Sequence, residues 1–285
     1  MLPTVANRPI TFMSDFGRTD EFVGVVHGVI ATIAPGSRVI DLTHDIEPGN
    51  IMAGALALMR SIQYLPQGVL LAVIDPGVGT QRRAIVAETA WGHFIGPDNG
   101  VLSPAVALMG GASRTVSIEN PDVMLPTQGA TFHGRDIFAP AAAVLASDEA
   151  EMNELGPLVD PGDLTPLLLP LCEIEETHVT GQVWWVDRFG NAQMNISPDD
   201  LARIGLSPGM DVTVRIGAIE HLVGWVLAYG EVEPGQALLH VDSSGLLALA
   251  IRDGNAAEQF TVAPQTGVTI TAGRRAGRRV PLRQA

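Results

Sequence analysis

Residues 69–74, Val-Leu-Leu-Ala-Val-Ile, form an unbroken apolar run that stops at Asp75 and then passes through Pro76-Gly77-Val78-Gly79-Thr80-Gln81 to Arg82 and Arg83. A strand that is apolar on both faces must be covered on both, which is the situation of a central strand in a sheet flanked by helices. Open α/β sheets place their ligands at the carboxyl ends of such strands. Asp75 falls at that position, and Arg82 is spaced to pair with it as an oriented acid–guanidinium couple beside a small substrate. A structural turn with a solvated ion pair is the alternative reading of the same residues.

The surrounding pattern supports the sheet. Residues 10–13 read as a strand emptying into Ser14-Asp15-Phe16-Gly17. Phe22, Val25, Val26, Val29, Ile30 and Ile33 then recur at helical spacing, with Thr19 or Asp20 as cap and Pro35-Gly36 as stop. Residues 38–42 form a second strand, Asn50 opens an alanine-rich helix to about Tyr64, and residues 84–88 and 93–95 are further strands. Helices follow over 102–109 and 139–146, the second with Pro140 in its first turn. This alternation predicts a layered N-terminal α/β domain with a largely parallel sheet, residues 1–168. Pro157, Pro161, Pro166 and Pro170 stiffen a connection, after which the helical period fades. Short strands at 179–186, 210–216, 222–228, 237–241, 246–251 and 268–271 predict a smaller all-β, barrel-like domain over 174–272. Residues 273–285 read as a basic, disordered tail crowded with arginines.

Composition removes several classes of function. The 285 residues carry a net charge of −14, against a surface built to grip nucleic acid. All basic residues are arginines, and the absence of lysine excludes a Schiff-base lysine, a lysine-anchored pyridoxal enzyme and a lysine-dependent phosphate loop. Cys172 is the only cysteine, so there is no internal disulfide and no multi-cysteine metal site. No apolar run approaches the roughly 18 residues of a membrane span, and the first dozen residues lack an export signal, so no membrane partner and a cytoplasmic location are expected.

Polar residues gather where the predicted strands end: Asp15 and Asp20, His44 and Asp45, Asp75 and Arg82, Asp98 and Asn99, with Thr131-Phe132-His133-Gly134-Arg135-Asp136 beyond. In a parallel sheet these ends share one edge, which makes the edge a candidate site. Individually each has a bland account: Asp20 as a helix cap, Asp98-Asn99-Gly100 as a turn, His44 as a hydrogen-bonded imidazole. No His-Glu-x-x-His spacing and no Gly-x-Ser-x-Gly elbow is present. A metal-dependent hydrolase using His44, Asp45, Asp75 and His133 stays open from the residues alone. In the β module, Asp187-Arg188-Phe189-Gly190-Asn191 offers a ring to stack on, an amide and a carboxylate, or else a plain hairpin turn.

Ser14-Asp15-Phe16-Gly17, Thr43-His44-Asp45-Ile46, Asp75 to Thr80, Gly96-Pro97-Asp98-Asn99-Gly100, Thr131 to Asp136, Asp187 to Asn191 and Gly254-Asn255-Ala256-Ala257 occur in this order over about residues 10–260. Together they resemble the S-adenosyl-L-methionine hydrolases, or SAM hydroxide adenosyltransferases, relatives of the fluorinase and chlorinase enzymes. The resemblance implies cleavage of S-adenosyl-L-methionine by water to adenosine and L-methionine, with that compound as substrate and no cofactor and no metal. It also implies a homotrimer with sites at subunit interfaces. By motif, Asp75, Arg82 and His133 resemble the residues that position and polarise the attacking water. Asp15 resembles the acid on the ribose hydroxyls, Asp20 a residue near the methionine end, and Asp187 the carboxylate meeting the methionine amine. Phe189 and Asn191 resemble adenine contacts, while Ser243 and the backbone near Ala256 lie in a segment lining the nucleoside. Halogenating relatives differ at Asp75 and at His133-Gly134, so the chain sides with the hydrolases. Gly49 and Ser244 depart from the halogenase pattern at the sugar and the methionine. A halogenase and a non-catalytic adenosine or S-adenosyl-L-methionine sensor are the competing readings.

Overall fold

A computed structural model describes residues 7–126 and 129–273, so the arginine tail beyond Gly273 lies outside the described residues. The chain divides into two compact units, Met1–Leu168 and Leu169–Ala285. None of its described helices is long and apolar enough to cross a membrane.

The first unit contains strands β1 (Ile10–Ser14), β2 (Val39–Thr43), β3 (Gly68–Val73), β4 (Ala84–Glu88), β5 (Gly92–Pro97), β6 (Arg114–Ser117) and β7 (Leu158–Val159) in one sheet of order β2-β1-β3-β5-β4-β6-β7. The pairs β2–β1, β1–β3 and β3–β5 are parallel, whereas β4 runs antiparallel to both β5 and β6. The sheet is therefore mixed, with the parallel part where the apolar run predicted it. Every residue of β3 is buried. Helices α1 (Phe22–Ile33) and α4 (Ala139–Ala146) pack together, as do α2 (Ile51–Ser61) and α3 (Ser103–Leu108). Asn50 caps α2 by accepting the amide of Ala53 at 3.0 Å.

The cap of α1 differs from the sequence expectation. Glu21 occupies the N-cap and makes no side-chain cap bond, while Thr19 and Asp20 stand outside the helix. The entry is set instead by Phe22, whose ring meets Phe16 and Phe132 edge-on at 6.1 and 5.2 Å. Strand β6 and a five-residue π-helical turn, Gly134–Phe138, immediately before α4, carried no periodic signal.

In the second unit, β8 (Glu173–Ile174), β9 (His178–Val186), β10 (Ala192–Met194), β11 (Asp211–Ile216), β12 (Ile219–Trp225), β13 (Ala237–Val241), β14 (Leu247–Ile251) and β15 (Gly267–Ala272) run in the order β10-β14-β13-β12-β11-β15-β9-β8. Pairing of β10 with β9 closes seven of them into a barrel, with β8 appended at the edge of β9. Val183, Val214, Trp225, Leu239, Leu249 and Ile270 fill the interior. Two short helices, α5 (Pro198–Ala202) and α6 (Ala256–Gln259), complete the unit. The β9–β10 turn is locked to α6: Gly190 accepts the Ala257 amide at 2.9 Å and adopts φ +83°. A Cβ there would fall 1.9 Å from Asn255 Oδ1. Gly190→Ala is expected to destabilise the protein by about 1–3 kcal/mol in urea unfolding, combining a left-handed backbone with a clash against a capping side chain.

Candidate active site

The strand order fixes where a site belongs. The chain leaves β1 toward β2 on one side and returns to β3 on the other, so the crevice between the carboxyl ends of β1 and β3 is a topological switch point. Asp15 follows β1 directly, and Asp75 follows β3 after one residue.

Asp75 and Arg82 form a two-toothed ion pair. Arg82 Nε donates to Asp75 Oδ1 at 2.9 Å and to Oδ2 at 3.1 Å, and Nη2 donates to Oδ2. Their side chains are only 10% and 5% exposed, so the pair is sheltered enough for its charges to be weakly screened. The guanidinium lies over the Phe138 ring at 5.2 Å. Its Nη2 also reaches His133 Nδ1 at 2.7 Å. A guanidinium only donates, so Nδ1 must accept, and neutral His133 therefore carries its proton on Nε2. The turn between the partners depends on Gly79, at φ +76°, where a Cβ would sit 2.9 Å from the Ala130 carbonyl.

Burial holds the His133 imidazole below its ordinary pKa, and the Arg82 charge pushes the same way against the opposing pull of Asp75 and Asp136. Asp15 moves upward, first through burial and further through the Asp75 charge, against the lowering effect of the Gly49 amide, which donates to its Oδ2 at 2.7 Å. Asp15 and Asp75 thus act on one another electrostatically at the crevice.

Other strand-end residues serve the scaffold. Arg83 pairs with Asp98 through an Nε–Oδ2 bond of 2.8 Å, and Asp98 Oδ1 accepts the Thr165 amide. Asn99 ties the end of β3 by donating to the Ile74 carbonyl at 2.8 Å. Asp20 is exposed and makes no hydrogen bond or ion pair among the described residues. Asp45 pairs with Arg18 at 3.5 Å, and among the described residues His44, Asp45, Asp75 and His133 do not come together as one group of ligand atoms. A half-open cavity of about 340 Å³ in this unit, lined by Ala87, Val106 and Pro161 among others, holds no candidate acid or base except Asp98, which is already paired.

In the second unit, Asp187, Phe189 and Asn191 line an open cavity of about 820 Å³ with Tyr229, Arg252 and Asp253. Asp187 organises the turn: Oδ1 accepts the Phe189 and Asn191 amides at 2.8 and 2.9 Å, and Oδ2 accepts Asn191 Nδ2 at 2.8 Å. Phe189 is 71% exposed, too much for a core residue, so its ring is free to receive a flat partner. Ser243 is exposed in the loop after β13, which Asp242 holds by accepting the Ser244 and Leu246 amides. The Ala256 side chain is fully buried, leaving only its main chain for contact. Tyr229, whose hydroxyl lies 3.1 Å from His240 Nε2, and Arg252 are cavity residues that no sequence motif indicated.

Two family descriptions match the chain: the SAM hydroxide adenosyltransferase N-terminal domain over residues 10–156 and the C-terminal domain over residues 181–269. The chain belongs to the SAM hydroxide adenosyltransferase family. It is 43% identical to an (R)-S-adenosyl-L-methionine hydrolase of Salinispora tropica over 93% of this chain and 98% of that protein. A fluorinase of an Actinoplanes species is 24% identical, over 95% of this chain and 99% of the relative. The crystal structure of an uncharacterized conserved protein from Thermotoga maritima superposes with a TM-score of 0.85 at 35% identity, covering 92% of this chain and 99% of that one.

Because the native state binds the His133 proton more weakly than the unfolded state, this residue's contribution to stability is present above its ordinary pKa and is lost as pH falls through the lowered value. In NMR titration the His133 ring is expected to titrate below the ordinary 6.5. In Arg82→Gln it should titrate higher, since one depressing charge is gone while Asp75 remains.

Proposed function

We propose that this protein hydrolyses S-adenosyl-L-methionine to adenosine and L-methionine by in-line attack of water on the ribose C5′. The hydrogen-bonded chain Asp75–Arg82–His133 at the β1/β3 crevice carries this reading. Membership of the family and the nearer likeness to a hydrolase than to a fluorinase support water over halide as nucleophile.

The chemistry asks little of an acid or a metal. A new O–C5′ bond forms as the C5′–S bond breaks, and the sulfonium leaves as a neutral thioether. What the site must supply is a water oxygen held in line and a place for its proton. The carboxylate of Asp75 has room for it: Oδ1 receives a single bond from Arg82 and retains a lone pair for a water proton. His133, in its Nε2–H form, donates to the water oxygen, whose remaining lone pair is aimed at C5′. Arg82 holds both partners in register.

The remaining residues divide the substrate between them. Asp15 takes the ribose hydroxyls, with Oδ2 already oriented by the Gly49 amide. The Phe189 ring stacks on adenine, and Asn191, oriented by its Nδ2 donating to Asp187, presents its oxygen to the adenine amino group. Asp187 keeps capacity for the methionine ammonium, and Asp20 supplies an exposed charge toward the methionine end. Ser243 and the main chain at Ala256 border the nucleoside. We infer a homotrimeric active form in which neighbouring chains share each substrate. Light scattering on the purified protein should give three chains per particle, and a monomer with full activity would contradict that inference.

Asp75→Ala, and the isosteric Asp75→Asn that spares the packing, are expected to lower adenosine release by about 10²–10⁴-fold. Calorimetric affinity for S-adenosyl-L-methionine should change only a few-fold. Near-normal turnover in the Asn variant would remove Asp75 from the water-handling role.

A further inference from the structure

At the outer edge of the first unit's sheet, two imidazoles and a carboxylate converge. His27 on α1 lies with Nε2 2.8 Å from Oδ1 of Asp41 on β2, and His44, one residue beyond β2, has Nε2 3.0 Å from the same oxygen. The candidate ligand atoms of the three residues all lie within 4.8 Å of one another. Among the described residues this is the one cluster of at least three such donors close enough to share an ion.

The decisive feature is His44. It is 1% exposed, and its Nε2, 3.0 Å from Asp41 Oδ1, is in ion-pair contact with that carboxylate but finds no well-aligned hydrogen bond. A buried imidazole nitrogen without a well-aligned hydrogen bond is costly, and here it points into a group of metal-ligand atoms. Its other nitrogen, Nδ1, lies 2.7 Å from Oγ of Ser14, which is itself fully buried. If Nδ1 donates there, Nε2 is a bare lone pair facing an anionic oxygen. That is the arrangement of a metal-ligating histidine, whose second nitrogen is fixed by an oxygen behind it. The Phe12 ring, 4.5 Å from the His44 ring and 6.1 Å from that of His27, walls the two imidazoles in position.

We propose that His27 Nε2, Asp41 Oδ1 and His44 Nε2 bind one divalent cation of the zinc class, with solvent completing its coordination. Two nitrogens and one carboxylate oxygen suit Zn²⁺, Co²⁺, Ni²⁺ or Cu²⁺ and not Mg²⁺ or Ca²⁺, which take oxygen donors. Bonds of about 2.0–2.1 Å in a tetrahedral site separate ligand atoms by about 3.3 Å, so the two imidazole–carboxylate spacings of 2.8 and 3.0 Å need to open by only a few tenths of an ångström. His27 and Asp41 keep 35% and 36% of their side-chain surfaces exposed, which gives an ion a path from solvent and room for its water. The site uses none of Asp15, Asp75, Arg82 or His133, so it is separate from the water-handling group and does not depend on the proposed reaction. It adjoins that group through Ser14, which lies behind His44 and precedes Asp15, and through the Gly17 amide, which donates to the His44 carbonyl at 2.8 Å.

The test is calorimetric titration of the untagged, chelator-treated full chain with zinc chloride, and separately with magnesium chloride. One zinc per chain at micromolar or tighter Kd is expected, with no saturable magnesium binding, and Co²⁺ should give the visible absorption of a low-coordinate site. His27→Ala and Asp41→Asn, both at partly exposed positions, should each weaken zinc binding at least about tenfold while circular dichroism is unchanged. Absence of saturable zinc binding would overturn the proposal. So would unaltered zinc affinity in both folded variants, or magnesium binding as tightly as zinc.

Discussion

The sheltered ion pair between Asp75 and Arg82 is the interaction around which the first unit's crevice is arranged. Removing one partner of such a pair leaves an uncompensated charge, at a cost of about 3–5 kcal/mol, so neither residue can be treated as a replaceable polar group. The fork geometry does more than neutralise charge. With Nε and Nη2 committed to the carboxylate, the guanidinium plane is fixed, and the same Nη2 then dictates the tautomer of His133. Phe138 supports that plane from the π-helical turn that follows His133. A π-turn widens the helix by one residue and commonly occurs at functional positions. Here it lets a single short segment deliver both the imidazole and the ring beneath the arginine.

The two units contribute different kinds of surface. At the first unit's switch point Asp15 and Asp75 stand just beyond the ends of buried parallel strands β1 and β3, whose backbone pairing limits movement. This suits a reaction that depends on the line of approach of a water oxygen. In the barrel, the groups stand on a turn drawn tight by one carboxylate, Asp187, and clamped to α6 through Gly190 and Asn255. A rigid turn carrying an exposed aromatic ring suits recognition of a flat base, where area matters more than tenths of an ångström.

Much of this was readable in the residues, for identifiable reasons. The apolar run at 69–74 reads as a covered strand, and Asn50 reads as the opening of an alanine-rich helix, which it caps. Motif spacing pairs Arg82 rather than Arg83 with Asp75, and in the structure Arg82 holds Asp75 while Arg83 holds Asp98. Features built on tertiary contact were invisible. Glu21 begins α1 because Phe22 joins an aromatic cluster, not because of its own capping chemistry. Strand β10 has three residues, too few to show a period, yet it closes the barrel. His27 reads as a polar helix position until β2 brings Asp41 and His44 against it. Tyr229 and Arg252 reach the Phe189 cavity from segments that carry no motif.

The central claim is that an oxygen atom from water is joined to C5′ at the Asp75–Arg82–His133 group. The most direct measurement is mass spectrometry of the products formed when the wild-type protein turns over S-adenosyl-L-methionine in water enriched in oxygen-18. The account predicts adenosine heavier by one labelled oxygen at its 5′ position, with unlabelled L-methionine released in equal amount. Adenosine without the label, or intact substrate after prolonged incubation, would contradict it.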